Sequence, residues 1–108
     1  MSIEFLKVAS MGEISDGSAL EVEVGDLLLV LFGVDGQVFA TDAYCTHGHA
    51  QLAEGYVTGN VVECPMHGGC FDIKTGEAVG PPCVDALRTY PTKVEEGSVF
   101  VGIDLGAD

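Results

Sequence analysis

The chain has 108 residues, the length of a single domain, and its 47% apolar content is enough to bury a modest core. Seventeen acidic residues against four basic ones give a formal net charge of −13, which excludes nucleic-acid binding because the phosphate backbone would repel the protein. No apolar run approaches the roughly eighteen residues of a membrane-spanning helix.

The start of the chain also bears on location. Met1-Ser2-Ile3-Glu4 has neither the basic region nor the apolar core of a secretion signal. We therefore expect a cytoplasmic protein with no membrane segment. In that compartment the four cysteines are expected to be ligands or thiols rather than disulfides.

The first part of the chain predicts β-strands separated by turns. Residues 3–8 form the first predicted strand, and residues 20–24 alternate apolar and acidic side chains at the period of a half-buried strand. Residues 27–32 are a continuous apolar run, and Gly33-Val34-Asp35-Gly36 supplies turn residues before a further strand at 37–41. We expect this last pair to be a hairpin in the core.

The middle of the chain has a different character. Residues 42–83 hold all four cysteines, all three histidines and three of the four prolines. Short strands are predicted at 61–63 and 71–73, each beside a cysteine- and histidine-containing loop. The pattern predicts a small subdomain of residues 42–83 inserted into a larger β base of residues 1–41 and 84–108.

The end of the chain completes an all-β pattern. Residues 86–90 and 92–95 are predicted to form one strand interrupted at Pro91, which suits a sheet edge or a bulge. Residues 98–103 form another predicted strand, and no segment shows a convincing helical period. The predicted fold is a single all-β domain, residues 1–108, built as an antiparallel β sandwich or partly open barrel.

Two short motifs carry the chemistry: Cys45-Thr46-His47 and Cys64-Pro65-Met66-His67. Each joins a thiolate donor to an imidazole donor, whereas structural zinc sites usually keep the cysteines together and the histidines together. Two residues of extended chain reach at most about 7 Å, so the cysteine and the histidine of each motif can bind opposite ends of one small metal centre. A [2Fe–2S] cluster with two thiolates on one iron and two imidazoles on the other needs this arrangement. A mononuclear zinc site is the alternative that the spacing leaves open.

The sequence resembles the Rieske ferredoxins over nearly its whole length. The resemblance is strongest at Cys45-Thr46-His47-Gly48, at Cys64-Pro65-Met66-His67-Gly68-Gly69 and at Gly80-Pro81-Pro82. It is similar above all to the small ferredoxins of bacterial aromatic-ring-hydroxylating dioxygenases. The resemblance implies the Rieske iron-sulfur fold and one [2Fe–2S] cluster, with Cys45 and Cys64 on one iron and His47 and His67 on the other.

The resemblance also implies a function and partners. We expect a one-electron carrier that accepts electrons from an NAD(P)H-dependent flavoprotein reductase and passes them to a terminal Rieske non-haem iron oxygenase. The sequence has no nucleophile elbow, phosphate loop or dinucleotide fingerprint, so we expect no enzyme activity of its own. One alternative is the Rieske-like small subunit of another oxidoreductase, such as nitrite reductase. The other is a structural zinc module for protein contacts, which predicts a colourless protein.

Formal charge explains how histidine ligation affects the cluster. Two ferric ions, two sulfides, two thiolates and neutral imidazoles sum to zero, whereas an all-cysteine cluster carries −2 and accepts an electron less readily. High-potential relatives add a loop disulfide and serine and tyrosine hydrogen-bond donors. This sequence departs from them at the four matching positions, Ala50, Met66, Gly69 and Phe71. We therefore expect a potential near the low end of the window of about −150 to +300 mV.

Some residues near the motifs fall outside the predicted ligand set. Cys70 and Cys83 are interpreted as idle thiols or small buried side chains. His49 is interpreted as a solvated loop residue. Only four acids lie between Cys45 and Cys83, and the expected tip of the site is nearly neutral. We expect electron-transfer partners to dock at this tip, steered there by the acidic field of the rest of the chain.

Overall fold

The computed structural model describes residues 3–46, 50–66, 68–81 and 85–104. Within these ranges the backbone forms eleven strands and two short 3₁₀ turns, at Met11–Glu13 and Leu52–Glu54. The strands are β1 (Ile3–Ser10), β2 (Ala19–Val24), β3 (Leu27–Val34), β4 (Gln37–Asp42), β5 (Tyr56–Thr58), β6 (Val61–Glu63), β7 (Cys70–Asp72), β8 (Ala78–Gly80), β9 (Thr89–Tyr90), β10 (Thr92–Glu95) and β11 (Ser98–Asp104).

The strands build three antiparallel sheets. One sheet has the order β1-β11-β10, a second has the order β2-β3-β4-β9, and the third, which we call the small sheet, has the order β5-β6-β7-β8. None of the three closes into a barrel. The predicted all-β class with antiparallel sheets is confirmed. In the parts of the chain that the structure describes, no helix is long and apolar enough to cross a bilayer.

Strand β3 lies between two hydrophobic cores. Leu29 and Leu31 pack into a core shared with β11, whereas Val30, Phe32 and Val34 pack into a core shared with the middle of the chain. Successive side chains of a strand point to opposite faces, so a strand covered on both sides must be apolar at every position. This double burial explains the continuous apolar run, and the predicted core hairpin of β3 and β4 is confirmed.

The hairpin turn between β3 and β4 contains Asp35 and Gly36, both with positive φ, at 53° and 77°. A two-residue turn of this kind matches the right-handed twist of the two strands that it joins. The Asp16 side chain accepts a hydrogen bond from the Gly36 backbone N–H at 2.8 Å, so the loop before β2 covers this turn.

The prediction of one strand interrupted at Pro91 is wrong. Strand β9 pairs with β4, whereas β10 pairs with β11, so the chain changes sheets at this residue. Proline has no N–H to continue a ladder, and its carbonyl accepts a hydrogen bond from Gly102 in the new sheet at 2.8 Å. Pro91 therefore ends one sheet and starts the pairing of another.

The small sheet was predicted only in part. Strand β6 has the predicted bounds, but β7 begins and ends one residue earlier than predicted, and β5 and β8 were not predicted. Both missed strands have three residues, too few to show a period of two. Strands β5 and β8 form because they pair with β6 and β7, and not because of any local sequence pattern.

A glycine in β3 tests the packing of the loop before β2. A Cβ at Gly33 would overlap the Ser15 carbonyl, and the Gly33 carbonyl accepts a hydrogen bond from the Gly17 N–H at 2.8 Å. Gly33→Ala should lower the free energy of unfolding by about 2 kcal/mol, the usual cost of overpacking. Urea denaturation would measure this loss in the free energy of unfolding. Gly12→Ala is the control, because a Cβ at position 12 meets nothing within 4 Å. Equal stability of the two variants would contradict this account of the loop.

Candidate metal centre

The two cysteine motifs lie in loops that close in the same way. The backbone N–H of Cys45 donates to the carbonyl of Ala50 at 3.0 Å, and the N–H of Cys64 donates to the carbonyl of Gly69 at 2.7 Å. In each loop the bond therefore joins a cysteine to the residue five positions later. Antiparallel pairs flank both loops, Tyr44 with Gln51 and Glu63 with Cys70. Each cysteine thus stands at the base of a hairpin-like loop.

The two cysteine side chains are buried in one core. Cys45 is 3% exposed and Cys64 is 1% exposed. Both belong to the same cluster of buried side chains, together with residues of β3 and with Phe71 of β7. The structure therefore brings together the two predicted thiolate ligands, which are nineteen positions apart in the sequence.

The predicted imidazole ligands follow the two cysteines in the sequence. His47 and His67 lie outside the described residues, as do His49 and Cys83. Thr46 and Met66 are both exposed, Met66 at 72%, so in each loop a residue that follows the buried cysteine reaches the surface.

The described residues fit an iron-sulfur cluster held at one end by thiolates. A thiolate in an apolar core needs a cation or a metal to offset the cost of burying its charge. Soft thiolates from two separate loops suit zinc or an iron-sulfur cluster. Gly68 has a positive φ of 72°, and its N–H donates to the Cys64 carbonyl at 3.2 Å, so a sharp bend follows the second cysteine.

Cys70 is a free thiol just behind the second loop. It is partly buried, and its thiol group donates to the Gly68 carbonyl with an S···O distance of 3.6 Å. Strand β8 runs beside it, and a Cβ at Gly80 would lie 3.1 Å from the Cys70 Cβ. Glycine at position 80 therefore allows β8 to approach β7 closely. Of the predicted lid, Gly80 and an exposed Pro81 are described, whereas Pro82 is not.

Residues 85–90 fasten the first loop to the rest of the protein. The Thr46 hydroxyl donates to the Asp85 carbonyl at 2.7 Å, across 39 positions of sequence. The Leu87 N–H donates to the Gly76 carbonyl at 2.8 Å, and the Leu87 side chain is buried in the same core as the two cysteines. We call residues 85–90 the strap, because they join the first loop to the turn of the small sheet.

The end of the strap is fixed by a tyrosine that the sequence analysis missed. The Tyr90 hydroxyl donates to a carboxylate oxygen of Asp42 at 2.6 Å, and the Arg88 guanidinium lies 5.2 Å from the centre of the Tyr90 ring. Burial, together with the bond to the Asp42 carboxylate, raises the pKa of Tyr90 to about 12, although Arg88 opposes the shift. Tyr90 therefore stays protonated as a donor, and Asp42, three residues before Cys45, stays anchored.

Comparison with known proteins identifies relatives over nearly the full length. Residues 4–91 match the family described as the Rieske [2Fe-2S] domain. The chain is 37% identical over 103 residues to the ferredoxin component of the naphthalene 1,2-dioxygenase system of Pseudomonas putida, covering 95% of this chain and 99% of that protein.

Two solved structures are similar in sequence and in fold. The Sphingomonas yanoikuyae B1 ferredoxin superposes with a TM-score of 0.88 at 40% identity, covering 93% of this chain and 99% of that chain. A chain from the complex of reduced oxygenase and oxidized ferredoxin in carbazole 1,9a-dioxygenase superposes with a TM-score of 0.85 at 40% identity, covering 90% of this chain and 91% of that chain.

Removing the Thr46 hydroxyl tests the strap. Thr46→Val should free the Asp85 carbonyl and cost about 1 kcal/mol, the usual net worth of one hydrogen bond. We expect the first loop to open more often and a chelator to remove bound metal about fivefold faster. The control is Thr58→Val in β5, where the exposed hydroxyl bonds to no described residue. Identical rates of metal loss in the two variants would show that the bond does not hold the loop.

Proposed function

Since the chain belongs to the Rieske [2Fe–2S] domain family, we propose that it is the ferredoxin of an aromatic-ring-hydroxylating dioxygenase system. It carries one electron at a time from an NAD(P)H-dependent flavoprotein reductase to the terminal oxygenase. The single observation that carries this proposal is the burial of Cys45 and Cys64 in one core, at the bases of two loops closed by the same hydrogen bond.

The cluster supplies one-electron redox chemistry, and the protein supplies its ligands. We propose that Cys45 and Cys64 bind one iron and that His47 and His67 bind the other. Two features support this assignment: the two cysteines share a core, and each histidine follows its cysteine by two or three positions in the sequence. Histidine ligation at the surface side would place the electron exit nearest to a partner.

The role is electron transfer rather than catalysis. The naphthalene and carbazole relatives are ferredoxin components of multicomponent oxygenases, and the reaction with the hydrocarbon belongs to the oxygenase. The chain of this protein therefore needs no substrate pocket of its own. We place it in the cytoplasm because NAD(P)H is the ultimate electron donor and Cys70 is a free thiol, as is usual in a reducing compartment.

We infer a division of labour within the single domain. Residues 42–83 form the cluster-binding subdomain, and residues 1–41 and 84–108 form the base. The pairing supports this division, because the strands of the small sheet pair only with one another among the described residues. The shared core around Phe32 and Leu87 attaches the subdomain to the base.

The ends of the two loops are the proposed docking site. Met66 of the second loop and Pro81 of the predicted lid are exposed, and both are uncharged. The seventeen acids of the chain lie mostly elsewhere, so a basic partner would be attracted over a distance and then meet an apolar contact. A weak apolar contact with long-range steering suits a carrier that must bind and leave two partners in turn.

The lack of a side-chain hydroxyl group at positions 69 and 71 favours a low reduction potential. Phe71 is completely buried against the core of the two cysteines, and Gly69 has no side chain. High-potential relatives have hydroxyl groups at the matching positions, which stabilise the reduced cluster by bonding to its sulfurs. We propose a potential near the low end of the range of about −150 to +300 mV.

Metal and spectroscopic analysis tests the function directly. The protein prepared without oxygen should be red-brown, with two irons and two acid-labile sulfides per chain, and the dithionite-reduced form should give a mixed-valence paramagnetic resonance signal of low average g. Cys45→Ser, His47→Ala, Cys64→Ser and His67→Ala should each abolish the signal, and His49→Ala should preserve it. A colourless protein with a single zinc ion would refute the carrier function.

Restoring the missing donors should raise the potential. Gly69→Ser and Phe71→Tyr each offer one hydroxyl, and a hydrogen bond worth about 1 kcal/mol corresponds to about 40 mV for a one-electron couple. Redox titration by visible absorption would measure the shift, with Phe39→Tyr on β4 as the control for a phenol added elsewhere. A fall in potential, or an equal rise in the control, would contradict the proposed role of these two positions.

A further inference from the structure

Exposed apolar side chains concentrate in the middle of the chain. Among the described residues, six large apolar side chains are at least 43% exposed, and four of them lie between residues 44 and 79. These four are Tyr44, Tyr56, Met66 and Val79. Single exposed apolar residues are normal on a protein surface, but several on one small unit are typical of an interaction site.

Two of these side chains belong to the small sheet, which has one buried face. Val57, Val62 and Phe71 pack into the core of the two cysteines. Because side chains alternate along a strand, their neighbours point outwards. The pairing register places four of these neighbours side by side across the sheet, and we call this set the outer row: Tyr56, Glu63, Cys70 and Gly80.

The outer row is continuous with the second cysteine loop. Glu63 directly precedes Cys64, and Cys70 directly follows Gly69, so the row crosses the base of that loop. Gly80 has no side chain, so nothing projects from the sheet at that end of the outer row. Tyr56, 65% exposed, stands at one edge of the sheet, and Val79, 56% exposed, stands in the bulged strand β8 at the other. Tyr56 and Val79 lie on the first and the fourth strand of the sheet. Three strand spacings of about 4.8 Å place them roughly 14 Å apart.

The charge of the outer row indicates the kind of surface that it would meet. Glu63 is the one charged residue in the row, it is exposed, and its carboxylate oxygen lies 3.9 Å from the position that a Cβ would take at Gly68. A complementary partner surface is apolar at two points about 14 Å apart and carries a basic side chain between them. This differs from the second loop, where the exposed Met66 is uncharged.

We propose that the outer row is a second part of the docking surface and that its occupant is the terminal oxygenase. This inference rests on the proposed carrier function. Both redox partners must reach the loop ends, because electrons leave and enter there, but only a partner whose surface extends past the second loop also covers the outer row. A ferredoxin 40% identical to this chain is seen in a complex with its oxygenase, which makes the oxygenase the partner that we assign to the outer row.

The experiment compares two matched double variants of the cluster-loaded protein. Tyr56→Ser with Val79→Ser removes the exposed apolar side chains at the two edges of the small sheet, one in the outer row and one beside it in β8. Ile3→Ser with Val94→Ser removes two of similar exposure in the β1-β11-β10 sheet. Oxygenase turnover is measured against ferredoxin concentration, and reduction by the reductase is measured separately. We expect the first variant to need about tenfold more ferredoxin for half-maximal turnover, equivalent to about 1.4 kcal/mol, with reductase kinetics and the control variant unchanged.

The outcomes separate this inference from the function itself. Equal impairment with the reductase, equal impairment in the control, or no change with the oxygenase would each overturn the outer row as an oxygenase contact. Wild-type protein that transfers no electrons to the oxygenase would instead defeat the carrier function. If the double variant fails to hold its cluster, Val79→Ser alone, in the exposed bulge, should still show about threefold weaker use by the oxygenase, and normal use would overturn the proposal.

Discussion

The site depends on one repeated hydrogen bond, from the backbone N–H of a cysteine to the carbonyl five residues later. It closes the loop of Cys45 and the loop of Cys64 alike. Because the bond lies at the base of each loop, the thiol stays in the core while Thr46 of the first loop and Met66 of the second reach the surface. A buried backbone N–H left without a partner would cost about 1 to 3 kcal/mol, so the closure also satisfies the backbone at the two points where the chain enters the core.

The loops are held by parts of the chain that are distant in sequence. Strand β3 contributes Val30 and Phe32 to the core beneath the cysteines, and the strap brings Leu87 to it from the other end of the chain. Thr46 and Asp85 are joined across 39 positions, and Asp42 and Tyr90 across 48. Strand β3 and the strap therefore support the two loops, and a change in their packing would be transmitted to the loops.

The sequence predicted the features that depend on local pattern or on composition. The apolar run of β3 and the turn at Asp35-Gly36 identify a core hairpin. The mixed cysteine and histidine spacing predicts two ligand loops, and the structure places the two cysteines of these loops in one core. It did not predict that the chain changes sheets at Pro91, because a strand's choice of partner is set by distant residues. For the same reason nothing in the sequence around Tyr90 indicates its bond to Asp42, and the three-residue strands β5 and β8 are too short to show a period.

The burial that fixes the thiolates also bears on the electron affinity of the site. Phe71 fills the core against the two cysteines and excludes water from that side, so it removes solvent and offers no hydroxyl in its place. If Cys45 and Cys64 hold the cluster as proposed, fewer hydrogen bonds to their sulfurs would leave an added electron less stabilised. A lower potential would in turn give the carrier more driving force to reduce its acceptor. Phe71 would thus link the packing of the core to the reduction potential of the site.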